Sequence, residues 1–264
     1  MTEQQRYLFD AMGYVVVEDA LSSVQLKAIN EIIDQKLVPD QLGTSQIRWG
    51  CDPIQASHPH DHRCVLSMGK IFRDIIDNHP ISALLKEVVG TNFRLDHDCL
   101  DVWRSMGQGP IGAKMHGGEV PWDSAQYYSV KGGRIHCGLV TVLYNLYDVD
   151  AALGGFACVP GSHKSEFPFP SSLNDRRNLL NDRNWFVRVG GKAGTAIVFA
   201  EAMIHGALPW RSNQQRRTLF YKFNNGATAW SKYYYDAQRW PDLSAAQKLI
   251  LEPPNARHPH WYLS

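Results

Sequence analysis

The dominant period of the apolar pattern changes near Asn92, and that change limits the folds open to the chain. Before it, apolar residues recur at helical spacing. Gln4 to Met12 suits a short helix stopped at Gly13. Leu26, Ile29, Ile32, Ile33 and Leu37 line one face of a longer helix, capped by Ser22 or Ser23 and ended by Pro39. Ile71 to Ile76 and Ile81 to Val89 make two more, the second opened by Pro80 and closed by Gly90, while Tyr14 to Glu18 reads as a buried strand. After Asn92 the period is two: Phe93, Leu95, His97 and Cys99 alternate with Arg94, Asp96, Asp98 and Leu100. Strand-like runs recur at Ile135 to Leu146, Phe156 to Val159, Trp185 to Val189, Thr195 to Phe199 and Thr218 to Phe223. Ala245 to Leu251 reads as a last helix. Helices first and then many short strands predict a mainly β sandwich or barrel with helices packed on one outer face. No linker, repeat or low-complexity tract interrupts the pattern, so residues 1–264 are expected to form a single domain.

The balance of charge narrows the partners. Basic residues number 27 and acidic ones 26, spread without blocks, which leaves no electrostatic footprint for nucleic acid or an anionic membrane and points to a small-molecule partner. Five cysteines at irregular spacing, with no Cys-x-x-Cys, argue against a disulfide framework and a structural zinc, and read as free thiols in a reducing compartment. The polar start of the chain lacks a signal core, and no apolar run approaches membrane-spanning length, so a soluble, cytoplasmic protein is expected.

Chemistry-bearing residues concentrate at three places. His205 ends the apolar stretch Phe199 to Ile204, His116 ends Ala113-Lys114-Met115-His116, and Arg216 opens an alternating strand eleven residues beyond His205. Imidazoles at strand ends can ligate a metal ion, and a guanidinium fork grips a carboxylate bidentately. Period two puts Arg216, Thr218 and Phe220 on one face and Arg217 and Leu219 on the other. The cluster His58, His60 and His62 falls in a stretch from 40 to 65 with few apolar residues, which reads as a loop or substrate lid.

At these residues the sequence resembles the phytanoyl-CoA dioxygenase family of non-haem iron, 2-oxoglutarate-dependent oxygenases. The likeness rests on the opening Phe9 to Asp19, on His116, on Gly154-Gly155-Phe156-Ala157-Cys158-Val159-Pro160-Gly161-Ser162-His163-Lys164, and on His205 and Arg216, and it covers nearly the whole chain. It implies a double-stranded β-helix, the cupin-like jelly roll, with Fe(II) on His116 and His205. It also implies 2-oxoglutarate on Arg216 with help from Asn145 and Thr218, and dioxygen as oxidant. One departure matters. The family's first motif is His-x-Asp, whose carboxylate is the third ligand, and here that position is Gly118. A small residue there is similar to the iron-dependent halogenases, in which chloride fills the gap.

Three explanations of Gly118 are open: a displaced carboxylate, for which Glu119 and Glu201 are the candidates, a halide site, or a non-catalytic binding module on the same fold. A dication held by neutral ligands alone leaves its charge uncompensated, which favours a carboxylate. Trp122, Tyr127, Tyr128 and Trp210 flank the histidine segments and are expected to wall a substrate pocket, with His136 at its mouth. The sequence therefore predicts an oxygenase hydroxylating an unactivated C–H bond of a small metabolite, with halogenation as the alternative.

Overall fold

Helix-forming and strand-forming segments separate along the chain much as the pattern demands. The computed structural model describes residues 1–37, 46–50, 64–104, 111–118, 120–173, 185–232 and 234–256. Helix α1 (Glu3–Met12) starts in a capping box between Thr2 and Gln5 and leads into strand β1 (Tyr14–Val17). Helix α2 (Ser23–Lys36) repeats the device with Ser22 and Gln25. Next come β2 (Gln46–Gly50), α3 (Lys70–Asp74) and α4 (His79–Val88), then the long β3 (Arg94–Trp103). Strands β4 (Ile111–His116), β5 (Tyr128–Lys131), β6 (Arg134–Cys137), β7 (Val140–Asn145), β8 (Gly155–Cys158), β9 (Val187–Arg188), β10 (Ala196–Ala200), β11 (His205–Trp210) and β12 (Arg216–Asn224) follow. Helix α5 (Ala245–Ile250) comes last.

The strands form a jelly roll of two facing sheets. One runs β1-β10-β7-β12-β3-β2 and the other β4-β11-β8-β9, with every pairing antiparallel, while β5 and β6 form a separate hairpin. Alternation sorts the six-stranded sheet. Val140, Val142, Val198, Leu219, Tyr221 and Phe223 point outward into a core with Phe9, Ile29, Ile33, Phe72 and Leu85 of the helices. The Tyr221 hydroxyl donates to the Phe72 carbonyl at 2.6 Å, and Arg217, on the same outer face, pairs with Asn30 and Asp34 of α2. Inward go Leu143, Ile197 and Phe199 against Phe156 and Cys158 of the other sheet, with Phe220 packed beside them.

Three differences from the sequence pattern have local causes. Ile135 to Leu146 is two strands, because Gly138 and Leu139 turn aside to donate to the carbonyls of Tyr127 and Ala125 at 2.8 and 2.6 Å. The supposed loop from 40 to 65 contains strand β2, which covers the edge of β3. His205 begins a strand instead of ending one: Ala200 closes β10, residues 201–204 turn, and Gly206 and Pro209 disguise the strand that follows. The histidines at 58, 60 and 62 lie outside the described residues. No disulfide joins any two of the described cysteines, Cys64, Cys99, Cys137 and Cys158. No helix among the described residues is long and apolar enough to cross a membrane.

Candidate metal centre and anion pocket

Three segments from two sheets meet at one end of the sandwich. Glu201 follows the last residue of β10, His205 opens β11, and His116 closes β4 as the register partner of His205. One ligand atom from each of these three residues lies within 4.8 Å of the others, the one such group of His, Cys, Asp and Glu among the described residues. The two imidazole rings have centroids 4.3 Å apart. Their approach depends on Gly117, whose φ is +94° and where a Cβ would fall 2.4 Å from the Met203 carbonyl oxygen and 2.7 Å from that of Glu201. Only a residue without a side chain lets the end of β4 press against the 201–204 turn.

Hydrogen bonding orients the donor set. The His205 Nδ1 donates to the Met203 carbonyl at 2.7 Å, which fixes the tautomer and leaves Nε2 as a lone-pair donor. That Nε2 faces Glu201 Oε2 at 3.6 Å, longer than a hydrogen bond. Burial pushes the His205 pKa down to about 3, so the ring is neutral at neutral pH, the state that coordinates a metal. Burial also opposes ionisation of Glu201, yet its carboxyl is held well below the usual carboxylate range, chiefly by the Lys222 ammonium. With His205 neutral, the Lys222 ammonium is the largest charge holding Glu201 ionised. Lys222 Nζ sits 2.9 Å from Glu201 Oε1, which also accepts from the Thr141 hydroxyl.

A second polar cluster lies further along the same inner face. Thr218 is the register partner of Asn145, and Arg216 that of Trp103. All four residues are buried, and Arg216 Nε, Thr218 Oγ1, Asn145 Nδ2 and Trp103 Nε1 have no hydrogen-bond partner among the described residues. Four orphaned polar atoms side by side are costly unless a ligand satisfies them. The Arg216 guanidinium stacks on the Trp103 ring at 5.3 Å, and its Nε would lie 3.1 Å from a Cβ at Gly155. Burial lowers its pKa to about 10, so it stays cationic at neutral pH. Between the clusters the inner positions are apolar: Phe220 pairs with Leu143.

Of the expected pocket wall, Trp122, Tyr127 and Tyr128 line one cleft of about 480 Å³ together with His136, Lys131 and Thr228. Trp122 and Tyr127 stack with centroids 6.5 Å apart. Trp210 is not part of it: it is buried with Trp103 and Val149 and donates its Nε1 to the Gln214 carbonyl. Of the two candidate carboxylates, Glu201 reaches the histidines, whereas Glu119 lies outside the described residues. Gly118 has a φ of +97°, and a Cβ there would meet the δ-methyl of Ile204 at 2.9 Å. Sequence reasoning missed Lys222, Thr141 and Trp103. Lys222 carried a signal, since it is the inward position after Arg216, Thr218 and Phe220.

Solved structures of similar architecture include some that hold a metal ion and 2-oxoglutarate. HygX from Streptomyces hygroscopicus, solved with nickel and 2-oxoglutarate, superposes with a TM-score of 0.70 at 18% identity, covering 87% of this chain and 89% of its own. The 2-oxoglutarate-dependent epimerase SnoN from nogalamycin biosynthesis gives 0.58 at 16% identity over 85% and 83% of the two chains. AviO1 from Streptomyces viridochromogenes Tue57 gives 0.59 at 14% identity over 86% and 96%. At these identities the likeness establishes the shared fold. No curated protein matches in sequence. The family described as phytanoyl-CoA dioxygenase matches residues 9–218, and the chain belongs to that family.

Proposed function

We propose that the protein is an Fe(II)- and 2-oxoglutarate-dependent oxygenase that hydroxylates an unactivated C–H bond of a small organic molecule. The observation that carries this reading is the pairing of two unfinished sites on one inner face. His116, Glu201 and His205 converge with a lone pair turned inward, and the orphaned Arg216, Thr218, Asn145 and Trp103 lie beyond an apolar band. The donor set fits a divalent iron: two imidazoles and one carboxylate on one side leave positions open on the other. The second cluster fits a dicarboxylate, with the Arg216 fork for the far carboxylate and Leu143 and Phe220 beside its methylenes.

Bound iron, with 2-oxoglutarate and dioxygen, supplies the oxidising power that C–H cleavage needs. The protein's part is placement. Met203 and Gly117 fix the His205 ring against His116, Arg216 selects and orients the co-substrate, and the Trp122–Tyr127 cleft is the site we assign to the organic substrate. Structures of relatives show small organic ligands of this kind: HygX with hygromycin B, and SnoN with nogalamycin RO.

Two features favour oxygenation over halogenation. Glu201 already brings a carboxylate to the histidines, and the Ile204 methyl occupies the space beside Gly118. Anaerobic addition of Fe(II) and 2-oxoglutarate should give the weak visible charge-transfer band of a keto acid chelated to iron, unchanged by chloride and abolished by His205→Ala. Absence of the band together with absence of calorimetric 2-oxoglutarate binding contradicts the enzyme reading. A band that shifts with chloride supports halogenation instead.

A further inference from the structure

Glu201 joins the two sheets. It lies past the end of β10, in a turn, so its strand does not hold its side chain. Its Oε1 takes an ammonium hydrogen from Lys222 at 2.9 Å and the Thr141 hydroxyl hydrogen. Thr141 and Lys222 are register partners on β7 and β12, and Thr141 is also the register partner of Phe199 on β10. Both donors therefore belong to the six-stranded sheet. The other oxygen, Oε2, turns toward His205 Nε2, and His205 is the register partner of His116 in the four-stranded sheet.

From this we infer that Lys222 and Thr141 are positioning residues: they hold Glu201 Oε1 so that Oε2 alone is presented to a metal between the two histidines. The inference rests on the metal-centre reading above and adds residues that touch neither metal nor substrate. A carboxylate has two oxygens and about four acceptor sites, and one left free to chelate through both would take a coordination position that the co-substrate or dioxygen needs. Occupying Oε1 with two donors from a rigid sheet prevents this. An ion pair kept only to neutralise a buried carboxylate would need no such division, because both oxygens could then turn toward the cation. The Lys222 ammonium, 21% exposed beside a carboxylate that is 4% exposed, reaches Oε1 and leaves Oε2 to the imidazoles.

The test is Mn(II) affinity of the whole protein, read by the electron paramagnetic resonance signal of the free ion. Wild type should bind, and His205→Ala should bind far less; failure of either overturns the metal-centre reading and the inference with it. Given that baseline, Lys222→Met should weaken Mn(II) binding by roughly 10 to 100-fold, the range for partners that orient metal ligands. Lys222→Arg should restore part of it. Thr141→Val should weaken binding in the same direction and Thr141→Ser should recover it, which keeps the test usable if Lys222→Met does not fold. In a Glu201→Ala background, Lys222→Met should cause no loss beyond about twofold, because there is no carboxylate left to position. Tighter or unchanged Mn(II) binding by Lys222→Met in the intact protein, or an equal loss in the Glu201→Ala background, overturns the positioning role.

Discussion

Glu201 Oε2 stands 3.6 Å from His205 Nε2 although no helix joins the two residues, which are separated by a turn between two strands of different sheets. That turn lets the chain supply a carboxylate from the second histidine's side of the site. In the His-x-Asp pattern of the family the carboxylate comes from the first histidine's side. The rest of the local design follows from accommodating the turn.

Gly117 is the tightest point of that accommodation. Gly117→Ala would place a methyl against the carbonyl oxygens of Met203 and Glu201, neither of which yields easily, at a φ of +94°. We expect a loss of roughly 2 kcal/mol or more in stability, with metal affinity reduced alongside it. Gly133→Ala is the control: its φ of +73° is equally unsuited to alanine, but no atom of the described residues lies within 4 Å of the added methyl. Thermal melts and metal titrations of the pair separate crowding from backbone strain, and equal effects in both variants would dismiss the close approach as the cause.

Gly118→Asp restores the family's motif on paper, and we expect it not to improve the site. The new side chain would start 2.9 Å from the Ile204 δ-methyl at a φ of +97°, a combination costing roughly 1 to 3 kcal/mol. Metal affinity should stay level or fall. Tighter binding would mean that the position beside Gly118 is open after all.

Arg216→Lys keeps a positive charge but replaces the planar fork with a point donor. Loss of one charge-assisted hydrogen bond predicts a drop in 2-oxoglutarate affinity of roughly tenfold. The wild-type affinity should be flat between pH 7 and 9, because burial does not bring the guanidinium's pKa near that range. Calorimetry of both proteins across that range checks the two expectations together.

His163 gives a stability prediction at the opposite end of the pH scale. The ring is fully buried, its Nε2–H donates to the Asp10 carbonyl at 3.0 Å, and burial pushes its pKa down to about 4. The unfolded chain takes up this proton below about 6.5 while the folded protein refuses it. Stability is therefore fully retained above pH 6.5 and lost as pH falls toward 4, by roughly 3 kcal/mol from this group. His163→Gln should flatten that part of the pH profile in denaturant titrations, and an unchanged slope would remove His163 as its source.

The sequence revealed some parts of this molecule more readily than others. Alternation from Phe93 onward, and in Arg216 to Phe223, gave the strands and their inward faces because each side chain in β12 packs against a distinct layer: Leu219 on the helices, Phe220 between the sheets. His116, His205 and Arg216 stood out because each sits beside glycine or opens an alternating run. Strand β11 was hidden by Gly206 and Pro209, and Trp210 packs beside Trp103 instead of lining the Trp122–Tyr127 cleft, because proximity to His205 in sequence does not tell which way a strand residue points. The inward direction of Lys222 was legible in that same alternation, but its pairing with Glu201 and Thr141 was not. That pairing depends on the register of β12 against β7, which no local pattern encodes.

The account stands on Glu201 completing the metal centre, and a structure of crystals grown anaerobically with Fe(II) and 2-oxoglutarate tests this most directly. We expect Glu201 Oε2 at about 2.0 to 2.2 Å from the metal, the distance usual for a carboxylate ligand, beside His116 and His205, with Oε1 still held by Lys222 and Thr141. Water or chloride in that coordination position, with both Glu201 oxygens turned to Lys222 and Thr141, would contradict it.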